Sequence, residues 1–267
     1  MHRILLTALC LWGALACQQQ PATTTTAAKA IPVADTTRQP METDSSFLNK
    51  AYLMGQFDPA QHPDFVHIDP KYADKPDLFL RKEAYAAFLK MREAAAAEGI
   101  RLLIRSATRP FHYQRSIWEG KWTGERKVDG KDLSKSIPDA KTRALKILEY
   151  SSMPGTSRHH WGTDIDLNAF ENSYFESGQG LKEYNWLVEN GPKFGFCQVY
   201  SQKGEDRPHG YNMEKWHWSY LPIAQQLTNF AETALKDEDI TGFKGAEAAP
   251  QIGVVEKYVL GINPACR

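Results

Sequence analysis

The stretch Thr156–Asn168 reads TSRHHWGTDIDLN. It sets His159 and His160 before a glycine, Gly162, and Asp164 and Asp166 after it. Read as a strand, DIDL sends Asp164 and Asp166 to one face and Ile165 and Leu167 to the other, because side chains alternate along extended backbone. The apolar pair then faces a core, and the carboxylates face a cavity. Gly162 allows the chain to double back, since a residue without Cβ takes up left-handed backbone at little cost. That fold-back carries an imidazole towards a carboxylate.

A second segment, MEKWHWSY at Met213–Tyr220, supplies the complement. Alternation places Trp216, Trp218 and Tyr220 on one strand face and His217 with Ser219 on the other, so His217 can look into the cavity of Asp166. Glu214 would face away in a strict strand and is expected on the turn that enters it. Two neutral imidazoles and a carboxylate suit Zn²⁺, with a fourth position left for water whose pKa the ion lowers to about 7. A nearby glutamate can take the proton as that water attacks an amide carbonyl. On chemistry alone His160 rivals His159, and Asp164 rivals Asp166.

The flanking sequence predicts the scaffold. DLFLRKEAYAAFLKMREAAAAEG, from Asp77, keeps its apolar residues on one helical face and stops at Gly99. IRLLIRSATRP predicts a short strand and a turn, with Arg109 just past the strand and Pro110 opening a helix through FHYQRSIW. GERKVDGKDLSKSIPDA reads as an exposed insertion ahead of a helix over KTRALKILEY. Further on, LKEYNWLVENGPKFG predicts a helix, FCQVY and WHWSY predict strands, and PIAQQLTNFAETAL predicts the final long helix. Strands and helices do not alternate regularly, which predicts an α+β fold: a small antiparallel sheet carrying the site, flanked by helices. No glycine-rich phosphate loop accompanies a strand, so nucleotide chemistry has no support.

The 267 residues carry 32 basic and 32 acidic side chains, so no overall field favours nucleic acid or an anionic membrane. The opening MHRILLTALCLWGALAC combines a basic start, a short apolar run and small residues at Ala14 and Ala16, the pattern of an export signal over residues 1–16. Cleavage after Ala16 would leave Cys17 first, which resembles a bacterial lipoprotein, although Ala14 stands where leucine is usual; ordinary secretion through an AxA site is the alternative. Residues 17–45, rich in Thr, Ala, Gln and Pro, cannot bury enough surface to offset their ordering entropy and read as a flexible tether. Residues 46–267 form the expected single domain. Cys197 and Cys266 could pair outside the cytoplasm, and spacing leaves that open.

Ser157, His159, Gly162 and Asp166 form SxHxxGxxxD, and Glu214, Trp216 and His217 form ExWH. Together they resemble the zinc D-Ala-D-Ala carboxypeptidases of the VanY type, in the fold group that includes lysostaphin-like peptidases and the hedgehog signalling domain. Upstream, SATRPFHYQ is similar to that family's Ser-Gly-Tyr-Arg segment followed by Gln. The resemblance implies one zinc per chain held by His159, Asp166 and His217, the outer members of the competing pairs. It implies Glu214 as base, Arg109 on the substrate's carboxylate or developing oxyanion, and Ser157 and Gln114 as secondary substrate contacts. Peptidoglycan stem peptides are the implied partner, with no nucleic acid, and with a membrane only through the N-terminal lipid. Asp164 stands where the family usually has Ala, and Ala107-Thr108 replaces the commoner Gly-Tyr. Those departures bear on substrate preference, so an L,D-carboxypeptidase, a D-Ala-D-Ala dipeptidase and a wall endopeptidase are alternatives, as is an inactive wall-binding module.

Overall fold

The computed structural model describes residues 46–267. The expected signal peptide, the tether and Cys17 lie outside the described residues. A short helix, α1 (Lys50–Leu53), starts at Asn49, whose side chain accepts the Tyr52 N–H. Strands β1 (Phe65–His67) and β2 (Phe79–Arg81) pair antiparallel, with Phe65 opposite Arg81. Helix α2 (Lys82–Ala97) follows directly and buries Ala84, Phe88, Met91 and Ala95 along one face. The helix predicted from Asp77 therefore begins later. Phe79–Arg81 is extended because β1 offers a strand partner and because the Arg81 N–H donates to Gly162 O at 3.0 Å. Both are tertiary facts that helical periodicity does not register.

Strand β3 (Ile104–Ser106) is followed by α3 (Phe111–Thr123), which Pro110 opens and left-handed Gly124 closes. This helix runs past Trp118, where the sequence reading ended it. The polar insertion holds one helical turn, α4 (Leu133–Ser136), capped by the Asp132 side chain, and α5 (Ala140–Ile147) is capped likewise by Asp139. Then come β4 (Asp164–Leu167), α6 (Gly178–Asn190), β5 (Phe196–Cys197), β6 (His217–Tyr220), α7 (Leu221–Ala234) and α8 (Ala248–Ile252). Strands β3 and β5 are shorter than IRLLIR and FCQVY suggested, since only the residues with a paired neighbour stay in the ladder.

The second sheet has the order β3-β4-β6-β5 and is antiparallel throughout, giving an α+β fold with helices around a small sheet. Ile104, Ile165, Leu167 and Trp218 cover one face of it and pack with Phe88 and Met91 of α2 and Leu187 of α6. Phe88 is fully buried, so truncation to alanine would cost about 3–5 kcal/mol. The other face carries Asp164, Asp166, His217 and Ser219 and turns towards α7, whose Leu227 belongs to a second core with Trp118, Leu148 and Trp161. A Cys197–Cys266 disulfide, Cα–Cα 5.8 Å, ties the C-terminal turn to β5. No helix among the described residues is long and apolar enough to cross a membrane.

Candidate metal centre

The register of β4 on β6 sets Asp166 directly opposite His217 and Asp164 opposite Ser219. Antiparallel neighbours on one face are the closest side-chain pairs a sheet offers, so two segments far apart in sequence are fixed side by side. His159 comes from the 3-10 turn Arg158–Trp161, which Gly162 ends with φ 72°. A Cβ at Gly162 would stand 2.3 Å from the Phe65 ring, so the glycine serves both the left-handed backbone and the close approach to β1.

His159 Nε2 lies 3.3 Å from Asp166 Oδ2, and His217 Nδ1 lies 3.2 Å from Asp166 Oδ1. These separations match the edge of a tetrahedron of ligands with bonds of about 2 Å, roughly 3.3 Å. His159 Nε2 and Asp166 Oδ1 are buried and make no hydrogen bond. Buried polar atoms left unpaired cost free energy, and a shared cation relieves that cost. One ligand atom from each of His159, Asp166 and His217 lies within 4.8 Å of the others, so a single ion can reach all three. The donor set, two imidazoles and a carboxylate, fits a divalent transition metal.

The remaining ring nitrogens are held from behind. His159 Nδ1 donates to Ala107 O at 2.8 Å, which leaves Nε2 free to ligate. His217 Nε2 faces Asp164 Oδ2 at 2.8 Å, which leaves Nδ1. Asp164 is fully buried and also accepts from Arg158 Nε, Thr163 Oγ1 and Ser219 Oγ, while Arg158 donates onward to Thr228. Burial alone would raise the Asp164 carboxyl, but the Arg158 charge and His217 hold it well below the carboxylate range. Burial likewise opposes ionisation of Asp166, and His159 and His217 outweigh it. His159 is pushed down by burial and then by Arg109, which favours the neutral imidazole that a metal needs. Asp164 thus supports His217 from behind, with both of its oxygens already engaged.

His160 lies outside this three-residue group. Its Nε2 accepts from the Gly155 N–H at 3.0 Å and its Nδ1 donates to Arg109 O at 2.5 Å, so both nitrogens are used. Arg109 N donates in turn to His159 O. The two adjacent histidines therefore divide their work: one points to the metal group, and the other clamps the backbone of Arg109.

Glu214 sits on the turn before β6, where the His217 N–H reaches Glu214 O, and its Oε2 is 3.4 Å from His217 Nδ1. Burial raises its carboxyl, partly offset by His217, which makes it a better proton acceptor than an exposed glutamate. Asp166, Glu214 and Arg109 line one cavity of about 610 Å³, with Trp216, stacked on Tyr150, in its wall. Arg109 Nε has no hydrogen-bond partner. Ser157 and Gln114 are buried, 1% exposed each, and are not part of that lining; Ser157 Oγ and Gln114 Oε1 are unpaired, while Gln114 Nε2 donates to Ser152 O. Trp161 and Trp218 are core residues.

The sequence reading missed Lys121 and Tyr150 as cavity residues. Tyr113, Ile117 and Lys121 lie on one face of α3 and all line the cavity, a spacing that was legible but cut short when the helix was ended at Trp118.

Fold and site together define a small α+β domain with a buried His₂Asp metal group and an adjacent glutamate. The chain belongs to the VanY family, described as D-alanyl-D-alanine carboxypeptidase, which it matches over residues 77–223. It is 27% identical over 204 residues to a putative carboxypeptidase, YodJ, of Bacillus subtilis (strain 168), covering 73% of this chain and 64% of that one. It is 30% identical over 131 residues to a D-alanyl-D-alanine carboxypeptidase of Enterococcus faecalis (strain ATCC 700802 / V583), covering 49% and 44%. The chain thus spans less than two thirds of either relative. Among solved structures it is similar to a mutant of the vancomycin-resistance D,D-pentapeptidase VanY in complex with Zn(II), at 23% identity and TM-score 0.45 over 61% of this chain and 93% of that one. It is also similar to the LD-carboxypeptidase LdcB, at 22% identity and TM-score 0.48 over 76% and 81%.

Proposed function

We propose that the protein is a zinc-dependent D-alanyl-D-alanine carboxypeptidase that trims peptidoglycan stem peptides outside the cytoplasm. The observation that carries this reading is the convergence of His159, Asp166 and His217 beside Glu214, on a cavity whose wall presents Arg109. When bound, zinc supplies Lewis acidity towards the scissile carbonyl and its attacking water. Glu214 takes the proton from that water at its carboxylate and can return it to the leaving amine. Arg109, clamped through its backbone, holds the substrate's carboxylate or the developing oxyanion by charge-assisted hydrogen bonds. Ala107 O and Asp164 keep both imidazoles in the required tautomer. The secondary substrate role of Ser157 and Gln114 rests on their buried, unpaired oxygens, which lie outside the cavity lining.

The Cys197–Cys266 disulfide supports an oxidising compartment, in keeping with export by residues 1–16 and anchoring at Cys17. Membrane attachment then depends on the lipid alone. A silent wall-binding module is the weaker reading, because binding needs no buried base beside an intact ligand set.

The test is to incubate the zinc-loaded protein with pentapeptide, tetrapeptide and D-Ala-D-Ala and to weigh the products. Release of a single D-alanine from the pentapeptide is expected. Trimming of the tetrapeptide or splitting of the dipeptide alone would move the assignment to an L,D-carboxypeptidase or a dipeptidase, and no product at all would end the peptidase reading.

A further inference from the structure

We propose that Lys121 is a second carboxylate-binding group of this site, acting with Arg109 to restrict the cavity to peptides that end in a free carboxylate. The inference rests on the carboxypeptidase reading and names what distinguishes it from cleavage within a longer peptide.

Lys121 projects from the third turn of α3, on the face that brings Tyr113 and Ile117 to the same cavity as Arg109, Asp166 and Glu214. Its ammonium donates to Ser151 Oγ, and it makes no ion pair among the described residues. Of the buried cations, Arg81 has Asp64 and Glu83, Arg158 has Asp164, and Arg207 is met by several backbone carbonyls, whereas Lys121 has the Ser151 hydroxyl alone. Arg109 is unpaired in the same way. Two partly buried cations share the cavity with neither in an ion pair, Glu214 acting on Lys121 only at a distance, and an anionic ligand completes such an arrangement. Lys75, also on the wall, is exposed and lies over the Phe170 ring, so solvent already compensates it.

The electrostatics agree with the geometry. Burial, and then the charge of Arg109, hold the Lys121 ammonium below its usual range. A carboxylate seated between the two relieves both effects, whereas a C-terminal amide or a continuing chain relieves neither. Free acids should therefore be favoured over otherwise identical amides by at least about tenfold, the margin expected from one charge-assisted contact.

The experiment uses Glu214→Gln protein, zinc-loaded, so that ligand survives, and titrates D-Ala-D-Ala and its C-terminal amide by calorimetry. The acid should bind at least about tenfold more tightly than the amide. Lys121→Met should shrink that gap severalfold with amide affinity unchanged, and Lys121→Arg should preserve most of it. An unchanged gap in Lys121→Met, equal weakening of both ligands, or no binding of either would overturn the proposal. Release of D-alanine by the protein with Glu214 intact is scored separately: its absence alongside a Lys121-dependent gap would sink the activity and leave the carboxylate site standing.

Discussion

Asp164 Oδ2 and His217 Nε2 stand 2.8 Å apart across the β4–β6 pair, and neither side chain is more than 3% exposed. This contact fixes which imidazole nitrogen faces the metal group. It also joins the metal centre to a buried ion pair, since Arg158 Nε lies 3.2 Å from the same Asp164 Oδ2.

Asp164→Asn should lower metal affinity by about 10–100-fold, the usual effect of losing a carboxylate behind a ligating histidine. Competition with a chelator measures it. Because Arg158 would lose its counter-charge, thermal unfolding should also shift down, by a cost on the order of 3–5 kcal/mol. Unchanged metal affinity would mean that the strand register alone orients His217.

Glu214→Gln should retain one metal per chain, read by elemental analysis, while D-alanine release falls by about 10²–10⁴-fold. Full activity in this variant would rule out Glu214 as the base.

The two neighbouring histidines should separate cleanly. His159→Ala should lose the metal, and His160→Ala should keep it while raising KM, because only the second loosens the Arg109 backbone. The opposite pattern of metal content would reverse the ligand assignment.

Tyr52 donates to Trp161 O and accepts from Arg81, bracing the turn that presents His159. Burial pushes its pKa up to about 12, partly offset by Arg81. Above pH 10 the unfolded chain releases the phenol proton and the fold retains it, so this contribution is complete below pH 10 and is lost as pH rises to about 12. Urea unfolding across that range should show stability falling by about 2–3 kcal/mol in excess of Tyr52→Phe, which cannot titrate.

Removing the disulfide by Cys266→Ser should destabilise the domain by about 4 kcal/mol, the chain-entropy value for the 69-residue separation it closes. Turnover should persist in conditions where the fold is intact, since neither cysteine lines the cavity. Chemical denaturation and activity on one preparation separate the two effects.

The period-two alternation of DIDL and HWSY fixed which side chains share a strand face, because that depends on local backbone geometry alone. The spacing of SxHxxGxxxD and ExWH likewise carried the VanY resemblance, and the helical face of KEAYAAFLKMREAAAA was plain from its own periodicity. What tertiary structure decided was everything set by a neighbour from elsewhere in the chain. Phe79–Arg81 became a strand because β1 lay beside it. Asp164 became the partner of His217 because Arg158, Ser219 and His217 surround it. His160 turned to Arg109 because Gly155 took its other nitrogen. Cys197 met Cys266 only once β5 had docked at the sheet edge. Sequence periodicity reports the direction of a side chain; its partner is set by long-range packing, which no local pattern encodes.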